Sequence, residues 1–178
     1  MGGARIRESA LTQVVGISEM CTSGSAEDVI VTYSLGSCIG LTLYDPVERV
    51  GGLLHSMLPL AQVDPKRAAM HPCMFVDSGV SLMLQTLFDM GAKRKNLVAC
   101  VAGAAHQLDR RDLFRIGERN YMVLRKLLWK NDILITAEDV GGEESRTMWL
   151  DMSSGETLLR VFGRTWLLDR TDGKGVSR

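Results

Sequence analysis

Apolar and polar positions along the chain switch between two periods. Leu11 to Met20 and Asp28 to Ser34 are rich in Val and Ile and predict early strands. Ile39-Gly40-Leu41-Thr42-Leu43-Tyr44 is a short apolar run, closed by the turn signal Asp45-Pro46. Val50 to Leu58 resumes the pattern until Pro59, so the two runs predict a hairpin around Asp45 to Arg49. Leu60 to Cys73, with Pro65 and Pro72, predicts a polar loop. From Ser78 to Met90 the period becomes helical. Val80, Leu84, Leu87 and Phe88 share a face, and Gly91 suits the position past the helix end. Leu97 to Val101 predicts a buried strand, and Gly117 to Lys130 a second helix with Tyr121, Leu124, Leu127 and Leu128 along one face. Ile133 to Ala137, Thr147 to Leu150 and Thr157 to Phe162 predict late strands, with a turn at Ser153-Ser154-Gly155.

Strands outnumber helices, and hairpins demand antiparallel neighbours, which a doubly wound parallel sheet lacks. The expected class is therefore mixed α/β: a single layered domain, with a mixed sheet containing antiparallel hairpins and two principal helices packed on it. The 178 residues fit one domain with a sizeable core. It is expected over residues 10–165, with residues 1–9 and 169–178 as flexible termini.

Charge narrows the function classes. Lys and Arg number 21, as do Asp and Glu, so nothing broad favours nucleic acid or an anionic membrane. Lys93-Arg94-Lys95 and Arg110-Arg111 are short enough to be solvated loop or helix-end clusters. No apolar run reaches the roughly 20 residues that span a bilayer, and Met1 to Glu8 lacks a signal-peptide core. A cytoplasmic location without membrane insertion is expected. There Cys21, Cys38, Cys73 and Cys100 are expected as free thiols, and no C-x-x-C pair occurs. His71, Cys73, His106 and Cys21 lack zinc-ligand spacing, and Gly51-Gly52 and Gly141-Gly142 do not form a nucleotide fingerprint. No metal or cofactor is expected.

The stretch from Val31 to Pro59 carries the candidate chemistry. Cys38 follows Leu35-Gly36-Ser37 at a predicted tight turn entering a strand, and His55 comes 17 residues later. Such a turn presents a thiol and leaves N–H groups for an oxyanion. If Tyr44 pairs with Val50, Cys38 falls opposite Ser56. A one-residue slip, with Gly51-Gly52 as a natural bulge, sets it opposite His55. Alternatively, Cys38 sits just before the ladder and escapes its parity. A neighbouring imidazolium lowers a thiol's pKa, and a third polar group usually orients the imidazole. Thr32 is one candidate for that place, with Ser34 and Ser56 as competitors. By themselves these residues fit a small core cysteine and a hydrogen-bonded histidine better than a catalytic pair.

Resemblance changes the balance. Leu35-Gly36-Ser37-Cys38-Ile39-Gly40, Tyr44-Asp45-Pro46 and Gly51-Gly52-Leu53-Leu54-His55-Ser56-Met57-Leu58-Pro59 closely resemble the chemoreceptor glutamine deamidase family, CheD. The likeness continues through Val76-Asp77, Gly91-Ala92, Ile116-Gly117-Glu118-Arg119-Asn120 and Asp139-Val140-Gly141-Gly142 with Arg146. The ordered set covers roughly residues 10 to 162. It implies a cytoplasmic bacterial enzyme that hydrolyses receptor glutamines to glutamates and binds a CheC-type phosphatase. The family's cysteine, histidine and threonine map onto Cys38, His55 and Thr32. Two segments depart from the family pattern: Val101-Ala102-Gly103-Ala104, where relatives typically carry paired glycines, and Gln62 to Phe75. Two other functions remain open on the sequence: a related cysteine protease or acyltransferase, and a non-catalytic adaptor for receptor or phosphatase.

Overall fold

The computed structural model describes Arg7, residues 11–106 and residues 115–169. Apart from Arg7 and Asp169, the expected flexible termini lie outside the described residues, as does Arg110-Arg111. The strands are β1 (Leu11–Val15), β2 (Glu19–Ser23), β3 (Asp28–Leu35), β4 (Ile39–Asp45), β5 (Val50–Ser56), β6 (Val98–Gly103), β7 (Ile135–Val140), β8 (Arg146–Asp151), β9 (Thr157–Val161) and β10 (Arg164–Leu167). The helices are α1 (Pro65–Met70), α2 (Val76–Asp89) and α3 (Ile116–Lys130).

The mixed α/β class holds, but the strands divide into two five-stranded sheets. One has the order β1-β3-β8-β9-β10 and the other β2-β5-β4-β6-β7. The β1–β3 and β6–β7 pairs are parallel and the rest antiparallel. The run from Leu11 to Met20 spans β1 and the start of β2. A turn between them, with Ser18 at φ 68, sends β1 to the first sheet and β2 to the second. The strand β10 was not expected; it pairs with β9.

Side-chain alternation on the second sheet builds two cores. Ile39, Leu41, Leu43 and Leu54 join Val80, Met83, Leu87, Leu124 and Leu128 beneath α2 and α3. Leu53, Cys100 and Ala102 face the other way, against Ile30, Leu35, Met148 and Leu159 of the first sheet. The layers therefore run helices, second sheet, first sheet. Each fully buried Leu or Met contributes about 1.5–3 kcal/mol.

The expected polar loop from Leu60 to Cys73 contains α1, flanked by single 3-10 turns. Asp64 caps α1 by accepting the Arg67 N–H at 3.0 Å, and Pro65 begins it. The hairpin register is neither of the two ladder pairings considered for Cys38, and the third alternative holds. Asp45 pairs with Val50, Tyr44 with Gly51, Gly40 with His55 and Ile39 with Ser56. Cys38 is thus opposite neither Ser56 nor His55, but stands just before the ladder. No bulge breaks β5. A Cβ on Gly51 or Gly52 would press on the Leu43 or Cys21 carbonyl, so these glycines serve close strand approach.

Candidate active site

Cys38 lies where the chain crosses between sheets. β3 pairs with β8 up to Thr32 opposite Met148, then gains one residue before Leu35 meets Arg146. This bulge holds Ser34 at φ 58 and turns Tyr33 and Ser34 outward, while Leu35 returns to the inter-sheet core. Residues 36–38 then lead into β4. Their carbonyls are pinned: Gly36 O accepts from Ala105 N at 2.9 Å, Cys38 O from Ala104 N at 2.7 Å, and Ser37 O from Asn120 Nδ2 at 3.0 Å. Gly103, at φ 105, is required here because a Cβ would overlap the Cys38 carbonyl. Ala104 follows at φ 53.

The N–H groups of this turn are not equivalent. Gly36 N–H donates to Ser34 O at 2.9 Å and is occupied. Those of Ser37 and Cys38 have no backbone partner among the described residues. The Cys38 N–H also faces its own sulfur. Of the three donors expected around Gly36 to Cys38, the last two remain open to an oxyanion.

His55 shares the inter-sheet face with Leu53 and pairs with Gly40. Cys38 is two residues before Gly40 and half-buried against the same inter-sheet core. Cys38 and His55 thus face the same inter-sheet space, one just before β4 and the other on β5. From the facing sheet, Thr32 Oγ1 meets His55 Nδ1 at 2.7 Å and Val15 O at 2.7 Å. This contact is sealed from solvent: Thr32 and His55 are both 0% exposed.

Proton accounting assigns the tautomer. Val15 O can only accept, so the single Thr32 hydroxyl proton goes to it. The hydroxyl oxygen then accepts from His55 Nδ1–H. Nε2 is left as a bare lone pair, and it is buried without a hydrogen-bond partner. Burial pulls the His55 pKa down to about 4. Burial also pushes the Cys38 thiol up, against a smaller opposing effect of its own N–H. The resting pair at neutral pH is therefore uncharged thiol and uncharged imidazole. The sequence alone suggested an imidazolium lowering the thiol; burial instead keeps the His55 ring uncharged.

The other hydroxyls lie elsewhere. Ser56 Oγ donates to Cys73 O at 2.7 Å on the helix side of β5, and Ser34 is exposed in the bulge. Thr32 is the one of the three bonded to the imidazole. Sequence reasoning missed Asn120. Its side chain is 0% exposed and donates to both Ser37 O and Met57 O, at 3.0 and 3.1 Å. The available signal was its helical spacing with Gly117, Leu124 and Leu128, which form the buried face of α3. An amide within such a stripe needs a polar task. Arg146, also buried, ties Asp139, Gly141 O and Glu144 O together and so shapes the β7–β8 loop.

The family model CheD, described as CheD chemotactic sensory transduction, matches residues 57–161. The chain belongs to the CheD family. Similar proteins include a probable chemoreceptor glutamine deamidase CheD from Solibacter usitatus. It is 44% identical over 151 residues, spanning 85% of this chain and 89% of that one. A probable chemoreceptor glutamine deamidase CheD 1 from Syntrophus aciditrophicus is 42% identical, over 84% of this chain and 94% of its own. A probable chemoreceptor glutamine deamidase CheD from Pyrococcus horikoshii is 41% identical, over 82% and 90%. A solved Neisseria meningitidis structure of the DUF152 family aligns at TM-score 0.41 with 10% identity, over 74% of this chain and 63% of that one, too loosely to define the fold. The segment matched by the CheD model takes in Asn120, Asp139 and Arg146, and begins two residues after His55.

Proposed function

We propose that this CheD-family protein hydrolyses glutamine side chains of chemoreceptors to glutamate. Cys38 is the nucleophile, His55 the base and then the acid, and Thr32 the group that orients His55. The observation carrying this reading is the Val15–Thr32–His55 relay, which leaves a bare Nε2 on the face that Cys38 shares.

As the Cys38 sulfur attacks the glutamine Cδ, its proton passes to His55 Nε2. The carbonyl oxygen becomes an oxyanion near the Ser37 and Cys38 N–H groups. His55 returns its proton to the amide nitrogen, the C–N bond breaks, and ammonia leaves behind a thioester. Water then loses a proton to His55 and attacks the thioester carbon. Collapse expels the Cys38 sulfur, which recovers that proton, and glutamate departs. Thr32 is a hydroxyl and adds no negative charge beside the imidazolium. It selects tautomer and ring orientation, whereas the carboxylate of a Ser-His-Asp triad also stabilises the charged ring.

His55 is sealed and Cys38 half-buried, so access runs past the thiol. That favours a slender side chain such as glutamine over a backbone amide. The new carboxylate alters charge along a receptor helix and hence its packing with like-charged neighbours. The proposed setting is the cytoplasm, facing the receptor's cytoplasmic helices. Among the described residues no helix is long and apolar enough to cross a membrane. A CheC-type phosphatase is proposed as regulatory partner on the strength of the family resemblance, and co-purification tests it.

The decisive experiment is intact-mass analysis of a chemoreceptor cytoplasmic fragment, with ammonia measured in parallel. The wild type converts amide to acid and releases ammonia with the chain uncut. Cys38→Ala gives neither signal and melts like the wild type. Equal turnover by Cys38→Ala would overturn the nucleophile. Chain cleavage would indicate a protease, incorporation of a primary amine an acyltransferase, and binding without mass change an adaptor.

A further inference from the structure

We propose that Asn120 is a positioning residue that aims the oxyanion donor of this site. This rests on the assignment of Cys38 as nucleophile. The β4–β5 ladder ends at Ile39 opposite Ser56. Just beyond it, the carbonyls of Ser37 and Met57 both need a donor, and two acceptors cannot satisfy one another. Asn120 reaches them from α3, with the two protons of a single Nδ2 at 3.0 and 3.1 Å. A hydroxyl has one proton and a carboxylate none, so the amide's chemistry matches the task. The amide orientation follows as well, since a flip would set Oδ1 against both carbonyls.

The Ser37 carbonyl and the Cys38 N–H belong to one peptide unit. A trans peptide is planar, with its C=O and N–H opposed, and no cis bond occurs among the described residues. Holding Ser37 O toward α3 therefore points the Cys38 N–H away from the helices, toward the side on which Cys38 packs. The Gly36 carbonyl, held by Ala105 N, sets the Ser37 N–H by the same rule. Asn120 adds the cross-brace, because its other bond fixes Met57, two residues after His55. Its Oδ1 stays buried with no partner. The site thus keeps an unsatisfied atom in exchange for a defined distance between the nucleophile's turn and the base's strand.

The test separates turnover from thiol reactivity. Alkylation of Cys38 by iodoacetamide forms no oxyanion, whereas deamidation does. Asn120→Ala is expected to lower kcat about 10–100-fold, part of the 10²–10³-fold typical of losing an oxyanion donor. KM and the Cys38 alkylation rate are expected to stay within about threefold of wild type. A kcat within twofold of wild type, or alkylation falling in parallel with turnover, would overturn the proposal. If Asn120→Ala does not fold, Asn120→Asp provides the same test through pH. Its protonated acid restores one donor and its carboxylate none, so its kcat relative to wild type should rise as pH falls. A constant ratio would overturn the proposal. Cys38→Ala, measured alongside, keeps the two readings apart. Silence there with normal Asn120 variants defeats only the positioning role, whereas wild-type turnover there defeats the site itself.

Discussion

The two ends of the β4–β5 hairpin contrast in how they treat buried polar atoms. At the turn end, Asp45 is 0% exposed and saturated. Its carboxylate accepts from Val47 N at 2.8 Å, Glu48 N at 3.1 Å, Lys93 N at 2.8 Å and the Asn96 amide at 3.2 Å. Burial alone would raise its pKa; the donors outweigh this and hold it below the usual carboxylate value. At the open end, the His55 Nε2 and Asn120 Oδ1 are buried without partners, and the Ser37 and Cys38 N–H groups lack backbone partners among the described residues. Buried polar groups are nearly always satisfied. One hairpin thus closes a turn with a complete shell and presents an incomplete one at the proposed site.

Removing the shell at the turn end should cost the most stability. Asp45→Ala orphans three backbone N–H groups and the Asn96 amide. At about 1–3 kcal/mol for each donor left unsatisfied, tempered by water entering the turn, the loss should be about 4 kcal/mol. At 2–4 °C per kcal/mol for a chain of this size, Tm should drop by about 8–16 °C. Turnover of the folded fraction should remain within about twofold of wild type, because the site is at the other end. An unchanged melt would contradict the structural role of Asp45. A large fall in kcat of the folded protein would show that the two ends are coupled.

Acid separates the two ends along the pH axis. The His55 pKa falls from 6.5 in the unfolded chain to about 4 in the fold. Between those values the unfolded chain binds a proton that the fold refuses, so stability drops as pH falls from 6.5 toward 4. At about 1.4 kcal/mol per unit, the loss reaches about 3 kcal/mol. The Asp45 contribution behaves differently in range. It is fully present above pH 3.8 and disappears only as pH falls through its lower folded pKa. Urea unfolding of the wild type and His55→Gln from pH 7 to 4 checks the first window. The wild type should lose about 3 kcal/mol more than the variant, and parallel curves would remove the basis for a buried neutral imidazole.

Periodicity made the elements legible, while the division of strands between sheets lay beyond it. Val80, Leu84 and Leu87 located α2 because a buried helix repeats at helical spacing. Leu11 to Met20 concealed the break between β1 and the start of β2, because the turn at residues 16–18 is short and its positive φ is carried by Ser18, a residue with no strong turn signature. Register fell in the same gap. Pairing Tyr44 with Gly51 instead of Val50 depends on the length of the turn that Asp45 organises, which a list of apolar residues does not contain. Resemblance named Cys38, His55 and Thr32. The fold brings Thr32 to His55 across two sheets and separates Ser34 and Ser56 from it. Asn120 was within view as a residue of the resemblance, but its partners are backbone carbonyls, and backbone atoms leave no mark in the sequence.

The smallest expected effect is also the sharpest comparison, because Thr32 belongs to both kinds of region. Its hydroxyl is satisfied, as at the turn end, yet it governs the unsatisfied Nε2. Thr32→Val keeps the branched shape and strand preference and deletes the hydroxyl. The Val15 carbonyl and the Nδ1–H both lose their partner, so about 1–2 kcal/mol of stability should go. The imidazole also loses what selects its tautomer, and a ring protonated at Nε2 has no lone pair for the Cys38 proton. Turnover should fall about 10–100-fold, the usual scale for a group acting through another. Thr32→Ser should recover part of both, since the hydroxyl returns with looser rotamers. Ammonia release on a receptor fragment, with a thermal melt on each variant, checks this. Wild-type turnover by Thr32→Val would make the hydroxyl a strand contact alone. Turnover as low as that of Cys38→Ala in a folded variant would mean that Thr32 touches the substrate amide itself.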